Sequence, residues 1–171
     1  EIEKIHIFGT PNEYRFYKDC VLNQFCSGVI GLACDHSAYE LKEELKSLLT
    51  ELKLDFIDYG TYSEKNCDYV DYSSVLIKAM KEKDCSHGFL LCRTGAGQNM
   101  YANRFNHIRS VLINDEYTAE MSISHNCANV FCIPSKYVDK IKMKKMLTIL
   151  LNTSFTGGRH EVRVRKIMET V

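Results

Sequence analysis

The segment LLCRTGAG, Leu90 to Gly97, ends an apolar run on a cysteine and follows it at once with a glycine-spaced loop. Such an arrangement can serve chemistry. Free backbone N–H groups at the start of a helix can hold a phosphate or a developing oxyanion. The same field lowers the pKa of a thiol, which would make Cys92 a base or a nucleophile. A buried strand-end cysteine beside a tight turn gives the same spacing. GAGQNM is not a dinucleotide fingerprint, because Met100 stands where the third glycine belongs, and it lacks the Lys-Ser/Thr ending of a phosphate loop.

Three further stretches carry reactive side chains. CDHSAYELK sets Asp35 and His36 at the end of one apolar run, just before a helical pattern. The aspartate could be a helix N-cap, worth about 1 kcal/mol, or could face a reactive loop. SHNCANV offers His125 and Asn126 at a helix end. There a histidine complements the helix dipole, or acts as an acid in a useful pH range. In GGRHEVRVRK, Arg159 and Arg163 share one helix face, with His160 beside them. Two guanidinium groups on one face suit a phosphate better than an isolated lysine would. A solvated basic face is the other reading.

The elements that must position these residues alternate. SGVIGLACD, LDFIDYG, HGFLLC, RSVLI and ANVFCI read as short buried strands. Between and after them lie helical patterns. In AYELKEELKSLLTELKL, for example, Leu41, Leu45, Leu48 and Leu52 recur at helical spacing. Five strands alternating with helices predict an α/β, three-layer, Rossmann-like fold: a five-stranded parallel sheet flanked by helices, plus a C-terminal helix. In such sheets the site lies beyond the carboxyl ends of the strands. That places ACDH, DYGTYS, LCRTGAG, NDEY and IPSK along one edge. Residues 1–27 lack a clear period and read as an N-terminal extension of unassigned role.

At 171 residues the chain suits one well-buried domain, and 22 basic residues balance 22 acidic ones. That balance argues against nucleic acid or an anionic membrane as a whole-surface partner. No apolar run is long enough to cross a bilayer. The start, EIEKIHIFGT, lacks the basic and apolar regions of a secretory signal. The eight cysteines contain no C-x-x-C pair, which argues against zinc. A cytoplasmic protein with mostly reduced thiols is expected.

From about Val29 to Ile167 the chain resembles the type B ribose-5-phosphate isomerase and galactose-6-phosphate isomerase family. The resemblance is carried by CDHSAYELK, DYGTYS with CDYVDY, LLCRTGAG with Ala102-Asn103, SHNCANV and TGGRHEVRV, in that order. It implies that residues 28–171 form a sugar-phosphate isomerase domain. The implied reaction interconverts ribose 5-phosphate and ribulose 5-phosphate through an enediolate, with Cys92 as the base between C2 and C1. The backbone of Thr94 to Gly97, including Gly95 and Gly97, would hold the anion, with the Thr94 hydroxyl nearby. Asp35 would handle hydroxyl protons and His125 would open the sugar ring. Tyr69 and Asn126 would contact the sugar, and His36, Lys136, Arg159 and Arg163 the phosphate. No metal or organic cofactor is implied. The sites would draw residues from both subunits of a homodimer, which could pair further into a tetramer.

This chain departs from the family at named positions. Arg93 stands where glycine is usual, Cys127 where aspartate is usual, Lys136 where an arginine is frequent, and Val70 where proline is usual. If position 93 needs a positive φ, arginine there is strained by about 1 kcal/mol. Two alternatives stay open: a six-carbon substrate such as galactose 6-phosphate or allose 6-phosphate, and a non-catalytic sugar-phosphate binder.

Overall fold

The computed structural model describes residues 28–169. The extension expected over residues 1–27 lies outside them. Five strands, β1 (Ile30–Cys34), β2 (Phe56–Asp58), β3 (His87–Cys92), β4 (Ser110–Leu112) and β5 (Val130–Pro134), form one sheet in the order β2-β1-β3-β5-β4. Every pairing is parallel. Six helices connect and cover them: α1 (Tyr39–Glu51), α2 (Tyr69–Glu82), α3 (Ala96–Ala102), α4 (Glu116–Ser124), α5 (Lys140–Asn152) and α6 (Arg159–Glu169). The layered α/β architecture is the one the alternating pattern predicts.

Strand alternation builds two core faces. Leu32, Phe89, Leu91, Phe131 and Ile133 meet Leu45 and Leu49 of α1, Ile123 of α4 and Met146 and Leu150 of α5. Ala33, Leu90, Val130 and Cys132 point the other way, onto Leu76 and Ile77 of α2. One expected core position differs. Leu52 is 45% exposed, because α1 ends at Glu51 and Leu49 takes the inward position. Aspartate caps start α2, α4 and α5, satisfying orphan N–H groups. Asp68 accepts from Val70 N at 2.8 Å, and Asp139 from Lys142 N at 2.8 Å. Asp115 and Thr118 close a capping box on α4.

Strand order decides where a ligand can sit. From β1 the chain moves out to β2 and then returns across β1 to β3. That reversal opens a crevice outside the carboxyl ends of β1 and β3. β1 ends at Cys34, just before Asp35, and β3 ends at Cys92. The two candidate loops therefore flank the switch point.

Candidate active site

Cys92 is 5% exposed, and its sulfur accepts the Gly95 N–H at 3.2 Å. Burial pushes the thiol up, and the Gly95 amide pulls the other way; the charge of Asp35 adds to the rise, and the Thr94 and Gln98 amides oppose it. Gly95 makes the tight return possible with φ of 72°, and a Cβ there would strike Leu112. Arg93 has no positive φ, so the strain expected at that position does not arise. The left-handed residue of the loop is Gly95. Arg93 is exposed, and its carbonyl accepts from Lys136 N at 3.1 Å, so two cationic residues stand side by side at the rim.

Asp35 sits across the strand pair, its N–H bonded to Leu91 O at 3.1 Å. Its Oδ1 accepts from Ser37 N at 3.0 Å and from Ser37 Oγ at 2.6 Å. The carboxylate thus caps the 3-10 turn His36–Ala38 while lying 8% exposed beside the thiol. The cap reading of Asp35 holds, and the same carboxylate stands beside Cys92. His36 Nδ1 lies 3.2 Å from Cys67 N and 3.2 Å from Cys67 O. The backbone of Cys67 therefore fixes the ring through Nδ1, leaving Nε2 for a ligand. Tyr69 opens α2 close against Gly97, where a Cβ would stand 2.6 Å from its hydroxyl oxygen. Asp35, His36, Tyr69, Cys92 and the Thr94–Gly97 loop form one cluster with Lys136 at its rim.

His125, Asn126, Arg159 and Arg163 do not join that cluster within the chain. Helix α4 begins beyond the carboxyl end of β4 and ends before β5 starts, so His125 lies at the opposite edge of the sheet. The four steps from Val130 to Pro134 alone span roughly 13 Å. There the His125 and His160 rings stack, with centroids 3.9 Å apart and 11° between planes. Arg159 Nε donates toward His160 Nε2 at 3.4 Å. Thr156 N bonds Ser124 O at 2.9 Å and brings α6 to this end. Asn126, Arg159 and Arg163 are exposed, and Val164 packs with Cys127 beneath them. Cys127 carries φ of 48° and is disulfide-bonded, whereas Cys34, Cys67, Cys85, Cys92 and Cys132 are free thiols.

Sequence reasoning missed several members of this architecture. Ser135 Oγ bonds Ser37 O at 3.1 Å while its N–H bonds Cys92 O at 2.9 Å, tying the ends of β1, β3 and β5 together. Gln98 is fully buried, donates to Ser73 Oγ at 3.1 Å and leaves Oε1 without a partner. Lys42, also fully buried, holds both Asp58 oxygens, at 2.6 and 2.7 Å, and Thr61 O at 2.6 Å. Among the described residues no group of three His, Cys, Asp or Glu side chains is placed to hold a metal ion. No helix of the described residues is long and apolar enough to cross a membrane.

A buffered thiol, a carboxylate and a loop of amides at the switch point of a parallel sheet define an α/β enzyme. A family model described as ribose/galactose isomerase matches residues 30–167. Ribose-5-phosphate isomerase B of Escherichia coli is 36% identical over 138 residues, covering 81% of this chain and 93% of that protein. The crystal structure of a ribose 5-phosphate isomerase from Thermotoga maritima superposes with a TM-score of 0.81 at 38% identity, covering 84% of this chain and 99% of that one. The Mycoplasma genitalium ribose-5-phosphate isomerase B with bound ribulose-5-phosphate gives a TM-score of 0.76 at 33% identity, covering 82% of this chain and 93% of that one. The chain belongs to the ribose/galactose isomerase family, and it is an isomerase.

Proposed function

We propose that the protein interconverts ribose 5-phosphate and ribulose 5-phosphate, with Cys92 as the base that moves the proton between C2 and C1. The observation that carries this reading is the Cys92 sulfur held by the Gly95 amide at 3.2 Å, beside Asp35 and at the foot of the glycine loop. In the step proposed, the thiolate takes the C2 proton, and the Thr94–Gly97 backbone holds the negative oxygen of the enediolate. Asp35 passes the hydroxyl proton between O2 and O1, and the thiol returns its proton to C1. Tyr69 and Asn126 orient the sugar. His36, Lys136, Arg159 and Arg163 take the phosphate, and His125 protonates the ring oxygen during opening. A cytoplasmic location accords with this chemistry.

Because the two clusters stand at opposite edges of the sheet, each complete site would need the second cluster from another copy. We infer a homodimer with two shared sites. The test is an assay of the purified protein for ribulose 5-phosphate formation, followed by mixing of two inactive variants. Cys92→Ala and Arg159→Ala/Arg163→Ala subunits, unfolded and refolded together, should regain up to about a quarter of wild-type activity. Half the dimers would be mixed, each with one intact site of two. No regain would sink the shared site. Turnover of galactose 6-phosphate in place of ribose 5-phosphate would sink the five-carbon assignment.

Gly97→Ala tests the sugar contact. The new methyl would displace the Tyr69 ring, which is the flexible partner in that contact. KM for ribose 5-phosphate should rise about tenfold, equivalent to about 1.4 kcal/mol of lost binding. A KM unchanged at normal kcat would remove Tyr69 from the sugar site.

A further inference from the structure

The second cluster contains a residue to which no role has yet been given, and its geometry is specific. His160 is 8% exposed and lies flat against His125, ring centroids 3.9 Å apart. It also touches the phosphate clamp directly, since Arg159 Nε points at its Nε2 from 3.4 Å. One side chain therefore contacts both the arginine that would take the phosphate and the histidine that would open the ring.

We propose, building on the isomerase reading above, that His160 is a positioning residue coupling the phosphate clamp to His125. When a phosphate seats on Arg159 and Arg163, the stacked imidazole pair takes up a proton, so the ring-opening acid is charged only when substrate is bound.

The physical basis is a field that changes sign. The charges that act on His160 from the two arginines are positive. Burial lowers the proton affinity of His160, and so do His125 at the end of α4 and Arg159 and Arg163 of α6. Among the described residues Val164, Cys127, Phe155 and Met168 pack at this end. Arg109 adds a positive charge behind them, reaching Cys127 O at 2.6 Å and Met168 Sδ at 3.8 Å, and Glu161 beside His160 is paired with Arg165 at 2.7 Å. The Arg159 hydrogen bond requires His160 Nε2 to be an acceptor, which fixes the neutral ring with its proton on Nδ1. A phosphate dianion reverses each contribution. It cancels the guanidinium charges, and it draws Arg159 away from Nε2, which is then free to be protonated. The proton comes from water and passes to the sugar's ring oxygen as the bond from C1 to that oxygen breaks. The proton of the C1 hydroxyl returns to the pair as the C1 carbonyl forms, so the pair ends the step as it began.

The test is an NMR titration of the histidine ring carbons of the intact protein, with and without saturating inorganic phosphate. The midpoint of the pair should move up by about one pH unit or more, as expected when like charges are neutralised. In Arg159→Met/Arg163→Met the midpoint should already be high, and phosphate should leave it unmoved. In His160→Phe, which keeps a stacked ring but takes no proton, the acid limb of kcat for ribose 5-phosphate should move while KM changes little. A purely structural role would move neither limb nor midpoint. A midpoint indifferent to phosphate in a protein that turns over ribose 5-phosphate overturns the coupling and leaves the isomerase standing. A shifted midpoint without turnover does the reverse. Should His160→Phe fail to fold, the wild-type titration decides alone.

Discussion

Cys92→Ala should lower kcat for ribose 5-phosphate by roughly a thousandfold or more, within the range that a positioned acid–base group supplies. The fold should survive, since the side chain lost is small and the loop geometry rests on Gly95. Cys92→Ser should be nearly as inactive, because a hydroxyl is far harder to ionise than a thiol and its anionic base form is not populated. The pH profile carries a second signature. Burial raises the Cys92 thiol and the neighbouring Asp35 adds to the rise, so the protonated thiol is the resting form near neutrality. The base form is then populated as pH climbs, and kcat/KM should rise by about tenfold per pH unit below the thiol's pKa. A profile flat from pH 5 to 9, or turnover surviving in Cys92→Ala, would transfer the role to Asp35. That carboxylate lies on the same side of the site, beside the thiol.

Asp58→Ala should cost about 3–5 kcal/mol of folding stability, the range for breaking a buried ion pair from one side. Such a loss is a large share of the 5–15 kcal/mol that holds a typical domain together. The reason is Lys42, fully buried, which would keep its charge and lose two of its three acceptors. Lys46 approaches the same carboxylate at 3.0 Å from the exposed side and would be less affected. The double replacement Lys42→Met/Asp58→Leu should be milder than Asp58→Ala, because it leaves no orphaned charge. Burial opposes ionisation of Asp58, yet the hydrogen bonds from Lys42, the Gly60 amide and Lys46 prevail and hold its carboxyl below the usual range. A depressed folded-state pKa means that this contribution is fully present above the unfolded value, about 4. It is lost as pH falls through the folded one. Urea midpoints at pH 7 and pH 3 should therefore differ less in Asp58→Ala than in the wild type. Equal pH dependence in the two would show that the pair does not govern acid stability.

The helices were legible because their apolar residues recur at helical spacing, and the central strands because they are short, wholly buried apolar runs; the strand-end rule put Asp35 and Cys92 on one edge. Strand order was not legible, since nothing local records that β5 lies inside β4. Lys42 could have been found. It stands beside Leu41 and three residues before Leu45, on the flank of the apolar stripe of α1. A lysine there reads as solvated until an aspartate at a neighbouring strand end is recognised as its partner. His160 was visible only as a neighbour of two arginines. Its stacking on His125 accompanies the Thr156 N–H bond to Ser124 O, which joins segments far apart in the chain. The condition for strain at Arg93 is not met for a simple reason: one left-handed residue closes the loop, and Gly95 supplies it.

The separation of the two clusters along the strands has a thermodynamic corollary. A monomer of this chain, however well folded, holds only half of the proposed machinery at either edge. Specific activity is then governed by mass action, and it falls with dilution once the concentration drops below the dissociation constant of the pair. On the proposed dimer, association itself is a substrate-independent requirement for turnover, and dispersal would act as an inhibitor that binds nothing.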